Sequence, residues 1–201
     1  MYTMTNSRTE REARRARILG LSHNLRAGVQ PIAANQLFVS GTALADQVVT
    51  LADIRPGARV FDPSAGTGDL LAAAARNRPG VLLLAVEIDA RLAAGLRARM
   101  PEASVTVADF LDVDPAALGL VDRIVMNPPF RNGADIQHIE HARRFLAPGG
   151  RMVAICANGP RQHARLRPTV LAAGGSWEPL PAGTFKHAGT AVSAVMLSFD
   201  A

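Results

Sequence analysis

The chain has 201 residues, 48% of them hydrophobic, with a formal net charge of +5 from 22 Lys+Arg against 17 Asp+Glu. That length suits one domain with a real core, and that composition excludes a disordered or low-complexity chain. No run of about 18 apolar residues occurs, which excludes a helical membrane span. The polar, Arg-rich start lacks the apolar stretch of a secretory signal. The single cysteine, Cys156, excludes an internal disulfide and fits a reducing, cytoplasmic setting. It lies in the apolar run Met152–Ala157, where a buried structural thiol is expected. Residues 1–30 hold six arginines (Arg8, Arg11, Arg14, Arg15, Arg17, Arg26) against Glu10 and Glu12, a net of +4. The basic character therefore concentrates in an N-terminal arm, which is either a solvated helix or a tracker of phosphates.

Along the chain, residues 5–19 read as a charged helix, with a short second helix before Gly28 and a break at Pro31. Residues 1–30 form the basic arm and 31–201 one domain. Leu44, Val48, Leu51 and Ala52 have helical spacing, with Ser40 or Thr42 as a cap. Pro56-Gly57 turns the chain into a first strand, Arg59–Asp62. The glycine turn Asp62-Pro63-Ser64-Ala65-Gly66-Thr67-Gly68 follows, then a helix over Leu70–Arg78. Val81–Val86 is apolar throughout, the pattern of a parallel strand covered on both faces. It ends at Glu87-Ile88-Asp89 and is followed by a helix over Ala90–Arg99. Val105–Val107 is the third strand, leading to Asp109-Phe110. Leu120–Met126 is the fourth, ending in Asn127-Pro128-Pro129-Phe130. A helix over Ile136–Leu146 stops at Pro148-Gly149-Gly150, and Arg151–Ala157 is the fifth strand. A helix over Arg161–Ala173 precedes two last strands, Trp177–Leu180 and Ala191–Phe199. The β-α alternation predicts an α/β fold: a Rossmann-like, doubly wound, seven-stranded, mainly parallel sheet with the last two strands as an antiparallel edge pair.

Ligands of such sheets bind at the carboxyl ends of the strands. Here those ends carry Asp62, Glu87, Asp109 and Asn127, which would converge on one crevice. Gly66 and Gly68 let a ligand approach the backbone, but Leu71 replaces the third glycine of a pyrophosphate loop. Glu87, 19 residues after Gly68, can accept both hydroxyls of a ribose. Asp109 can accept from an adenine amine, and Phe110 offers a ring edge. The two prolines at 128–129 cannot continue a ladder. They make a rigid tip in which the Asn127 side chain and the Pro128 carbonyl are two acceptors for one amine. Phe130 would stack on a flat substrate ring. Such a site needs no metal and no side-chain nucleophile. It suits direct methyl transfer from a sulfonium, where positioning supplies much of the rate.

These two motifs, in this order, resemble the class I S-adenosylmethionine-dependent methyltransferases, and the likeness covers roughly residues 36–199. Asn127-Pro128-Pro129-Phe130 resembles the catalytic motif of the amino-methylating branch, in particular the adenine-N6 DNA methyltransferases. The resemblance implies S-adenosyl-L-methionine as cofactor. Asp62, Ser64, Gly66 and Gly68 would hold its methionine part, Glu87 and Ile88 the ribose side, and Asp109 and Phe110 the adenine. Phe38, Ser40 and Thr42 resemble the extra cofactor segment of the DNA enzymes. Those enzymes carry a target-recognition insertion, and none follows Phe130 here. Guanine-N2 ribosomal RNA methyltransferases share the Asn-Pro-Pro-Phe motif, and Gly183-Thr184-Phe185-Lys186 is similar to a late segment of theirs. Glutamine methyltransferases of release factors generally have Tyr in place of Phe130.

The expected activity is methylation of an exocyclic base amine, adenine N6 in DNA first. An rRNA or tRNA base, a small-molecule or protein amine, and a non-catalytic binding module are the alternatives. The expected partner is nucleic acid, with a protein partner as a source of target recognition. Candidate phosphate contacts are the N-terminal arginines, Arg131, Lys186 and His187.

Overall fold

In a computed structural model the described residues are 42–185 and 192–201. The expected basic arm, Phe38, Ser40, Lys186 and His187 lie outside them. The described helices are α1 (Thr42–Leu51), α2 (Asp69–Asn77), α3 (Ala90–Arg99), α4 (Pro115–Leu118), α5 (Ala134–Ala142), α6 (Pro160–Arg165) and α7 (Arg167–Ala172). The strands are β1 (Arg59–Asp62), β2 (Leu82–Glu87), β3 (Ser104–Val107), β4 (Val121–Met126), β5 (Leu146–Ala157), β6 (Ser176–Pro179) and β7 (Ala194–Asp200). They form one seven-stranded sheet in the order β3-β2-β1-β4-β5-β7-β6. Strands β1 to β5 are mutually parallel, and β7 runs against both β5 and β6. The expected fold class is therefore the observed one. The pairing of the last two strands is antiparallel, as expected, and the last strand of the chain slots inside the sheet while β6 takes the edge.

The sheet separates two apolar layers, and the pleat sorts its side chains between them. Val60, Val125, Val153 and Ile155 face the layer built by α1, α2 and α3. Phe61, Ile124, Met126, Met152, Ala154 and Cys156 face the layer built by α5, Phe145 and α7. Continuous apolar runs in β4 and β5 follow from this, because both faces are covered. Cys156 is fully buried, and that burial pushes its thiol far above the ordinary range.

Two boundaries differ from expectation, each for a local reason. Pro148-Gly149-Gly150 does not stop the chain before the fifth strand but is taken up within β5. Register steps from Val121↔Leu146 to Arg123↔Arg151, so the extra residues bulge out. Gly149 has φ +73°, and a Cβ on Gly150 would stand 2.8 Å from the Ala147 carbonyl oxygen. The expected helix over Arg161–Ala173 is instead α6 and α7, divided at Leu166. Pro168 lacks the N–H needed to carry one helix through, and it sits in the first turn of α7.

Candidate functional site

Because β3, β2, β1 and β4 are successive neighbours, Asp109, Glu87, Asp62 and Asn127 stand in one row along the carboxyl edge of the sheet. The chain winds outward through β2 and β3 on one side of β1 and through β4 and β5 on the other. The glycine turn leaves β1 at that reversal, where open sheets form their crevice.

The turn is held by a carboxylate from the neighbouring strand. Glu87, 7% exposed, accepts the Gly66 N–H at 2.7 Å through Oε2 and the Asp89 N–H at 2.8 Å through Oε1. Each oxygen keeps a further lone pair, so two hydroxyls can still be received. Asp62 is buried and accepts the Ser64 N–H at 3.0 Å. Burial, opposed by that N–H and reinforced by the like charges of Glu87 and Asp69, pushes the Asp62 carboxyl up to about 7. Gly66 (φ 54°) and Gly68 (φ 80°) are left-handed. At Gly68 a Cβ would stand 2.2 Å from Leu96 Cδ1, so glycine is also required for α3 to close over the turn. Asp89 caps α3 through the N–H groups of Arg91 and Leu92. Ile88, beside Glu87, is 41% exposed.

The remaining expected site residues are placed as follows. Thr42 is the first residue of α1 and exposed. Asp109 Oδ1 accepts the Leu111 N–H at 3.1 Å, capping a short 3-10 turn over Phe110–Asp112. Phe110 is 2% exposed and lies among Phe61, Phe145, His138 and His141. It underpins the crevice more than it lines it. Asn127 is half-buried, with Oδ1 shielded from bulk water, and Pro128 is buried. Phe130 is 8% exposed and meets Phe185 edge-on, with ring centroids 5.9 Å apart at 89°. Only Arg131–Gly133 separates this tip from α5, so no insertion intervenes.

Two further groups, His138 and Asp135, were not apparent from the sequence, and Phe185 of the late segment noted there gains a partner. His138 of α5 is buried, and its Nδ1 is hydrogen-bonded to Ser64 Oγ at 2.9 Å, tying α5 to the glycine turn. Asp135 is fully buried; it accepts the Ala157 N–H at 3.0 Å and Gln162 Nε2 at 2.9 and 3.1 Å. Burial raises its pKa against the lowering effect of those donors. Phe185 reaches Phe130 from 55 residues away. The one available signal was that Asp135, His138, Ile139 and Ala142 share a helical face, so two polar residues interrupt an apolar stripe.

Residues 38–172 match the methyltransferase small domain family. The chain belongs to that family. This methyltransferase small domain is 29% identical over 132 residues to the U6 snRNA (guanine-N(2))-methyltransferase THUMPD2 of Mus musculus, covering 61% of this chain and 25% of that protein. It is 30% identical over 130 residues to the tRNA (guanine(10)-N2)-dimethyltransferase of Methanothermobacter thermautotrophicus, covering 58% and 37%. The matched region thus spans between about a quarter and two-fifths of those relatives. Its fold is similar to a modification subunit of a putative type I restriction enzyme from Vibrio vulnificus YJ016, with a TM-score of 0.68 at 18% identity over 89% of this chain and 48% of that one. It is also similar to TrmN from Thermus thermophilus, with a TM-score of 0.59 at 24% identity over 83% and 52%.

The class I methyltransferase fold and family imply S-adenosylmethionine as cofactor. The residues fit that group. A buried carboxyl carrying a raised pKa beside Glu87 and Asp69 is a place that lacks positive charge, and a sulfonium with an ammonium supplies it. Glu87 retains acceptor capacity for a ribose, and Gly66 and Gly68 leave the backbone open to close approach. Among the described residues no group of His, Cys, Asp and Glu could hold a metal ion, and no helix is long and apolar enough to cross a membrane.

Proposed function

We propose that this domain is an S-adenosylmethionine-dependent N-methyltransferase acting on an exocyclic amine of a nucleic-acid base. The observation that carries the proposal is the row Asp109, Glu87, Asp62 and Asn127, which sets a cofactor-type turn directly beside an Asn-Pro-Pro-Phe tip. When bound, the cofactor supplies an electrophilic methyl group: an N–C bond forms, the C–S bond breaks, sulfur keeps the electron pair and the amine loses a proton. Asn127 and the Pro128 carbonyl accept from the amine and turn its lone pair toward the methyl group. Phe130 holds the base ring, with Phe185 packed against it in a T-shaped contact. A base within a duplex must leave its stack to reach the tip.

Two observations favour guanine N2 in RNA as the target. The curated relatives quoted above are named for guanine-N2 methylation of RNA. The late segment that resembles the guanine-N2 enzymes delivers Phe185 onto Phe130. Adenine N6 in DNA is the second reading, favoured by the motif order and by a fold shared with type I restriction modification subunits. The arm over residues 1–30 and a protein partner are the proposed sources of target recognition.

The test is to incubate the purified chain with methyl-labelled S-adenosylmethionine and, in parallel, total RNA, single- and double-stranded DNA, and a protein pool, then digest to nucleosides. Label in N2-methylguanosine is expected. Label in N6-methyladenine of DNA moves the assignment to the second reading. Label confined to protein refutes nucleic-acid methylation, and failure to bind the cofactor in calorimetry refutes the enzyme.

A further inference from the structure

We propose that Arg161 and Arg131 together grip a phosphate of the polynucleotide that delivers the target base. The inference rests on the base-methylation reading above and adds the residues that hold the strand. Arg131 follows the Asn127–Phe130 tip directly. Arg161 is 30 residues further along, yet its Nη1 stands 3.7 Å from where a Cβ on Gly133 would lie. The guanidinium therefore lies over the backbone turn that the tip runs into.

The structure also provides what brings it there. Gln162, next to Arg161, is buried and donates to both carboxylate oxygens of Asp135, two residues beyond Gly133. The same carboxylate accepts the Ala157 N–H at the end of β5. Asp135 thus ties α6 to the end of β5 and to the start of α5, and Arg161 is carried by that brace.

Both arginines are exposed. The described ion pairs are Arg76–Asp46, Arg91–Asp89, Arg99–Asp69, Arg151–Asp200 and Arg165–Glu140, and neither Arg131 nor Arg161 is in one. Asp135 is the acid nearest in sequence to the turn, and its oxygens are taken by backbone and amide donors. Two uncompensated guanidiniums beside a site for a base leave a demand for negative charge. A phosphodiester is the anion every nucleic-acid base brings with it, and its oxygens match the guanidinium fork. DNA and RNA share this chemistry, so the grip fixes strand position and not strand type.

The experiment is fluorescence anisotropy of the full chain with 5′-fluorescein-labelled 20-nucleotide single strands, one RNA and one DNA of equivalent base sequence, titrated at several salt concentrations. Arg131→Ala/Arg161→Ala is expected to weaken binding about tenfold or more near physiological salt. It should lower the slope of log affinity against log salt by about 0.7, the value for one single-strand phosphate no longer neutralised. Arg161→Lys should keep the slope. S-adenosylmethionine affinity by calorimetry should be unchanged in all variants, which controls for folding. A slope drop on either strand supports the grip, and the strand that shows it identifies the source of the phosphate. Unchanged slope and affinity on both strands, with wild-type protein binding and methylating, overturn the grip alone. Wild-type protein that binds neither strand at low salt overturns the base-methylation reading and the grip with it.

Discussion

The two halves of the site are built in different ways. On the proposed cofactor side most of the carboxylates' backbone N–H partners are two residues away: Ser64 for Asp62, Asp89 for Glu87 and Leu111 for Asp109, with Gly66 bound by Glu87 across 21 residues as the exception. On the substrate side the parts come from far apart: Phe185 onto Phe130, Gln162 onto Asp135, and Arg161 over Gly133. The first half is preorganised by turn chemistry. The second is assembled only when the sheet and helices are in place. A cofactor common to many reactions calls for the same turn each time, whereas a substrate surface can be rebuilt by moving helices over that turn.

The largest effect that would sharpen this contrast is a pH dependence on the cofactor side. Asp62 titrates near 3.8 when unfolded and about 7 when folded. Between those values the folded state holds the proton more tightly, so stability falls as pH rises through that window. The contribution is at most about 4 kcal/mol. Denaturant titrations of cofactor-free protein at pH 4.5 and 7.5 should show it as a difference between wild type and Asp62→Asn, which keeps the acceptor for Ser64. Identical pH slopes for the two proteins would remove Asp62 as the source.

On the substrate side, Asn127→Ala should lower kcat by about 100- to 1,000-fold, about 2.7–4 kcal/mol, by analogy with loss of one preorganised polar group from a reacting centre. Cofactor affinity should be nearly unchanged, because Asn127 lies beyond the turn proposed to bind it. A variant with full kcat ends the proposed role.

Gly68→Ala probes the turn itself. The added methyl meets Leu96 Cδ1 in a left-handed residue, so a loss of about 2–3 kcal/mol in stability is expected from strain and overpacking. Leu96→Ala in the same protein should recover part of it. No recovery would mean that backbone strain, not the approach of α3, makes glycine necessary.

The smallest expected effect is on the brace. Gln162→Leu leaves the buried Asp135 carboxylate short of its amide donor and should cost about 1.5–2 kcal/mol. Polynucleotide affinity should fall with it while cofactor affinity holds. If both fall together, the two halves are not independent.

Much of the cofactor half could be read directly from the chain. Asp62 to Gly68 announces its turn because left-handed backbone selects glycine locally, and Glu87 is marked by the apolar run that ends at it. Pro128 and Pro129 declare the tip for the same reason, since proline constrains its own backbone whatever surrounds it. The seven strands and their class followed from apolar runs and Gly/Pro breaks. Where local rules misled, at Pro148–Gly150 and at Leu166, the outcome was set by β-sheet pairing in one case and by a proline two residues downstream in the other.

By itself, then, the amino-acid sequence determined the strand–turn–helix that fits S-adenosylmethionine and the rigid Asn-Pro-Pro-Phe tip, because both are properties of a few consecutive residues. Only the tertiary structure decided that β7 lies inside β6, that Glu87 clamps Gly66, that His138 reaches Ser64, and that Phe185, Gln162 and Arg161 gather at the tip. Those contacts join residues tens of positions apart, with the exact partner chosen by helix placement on the sheet, and no local propensity encodes a distance across space.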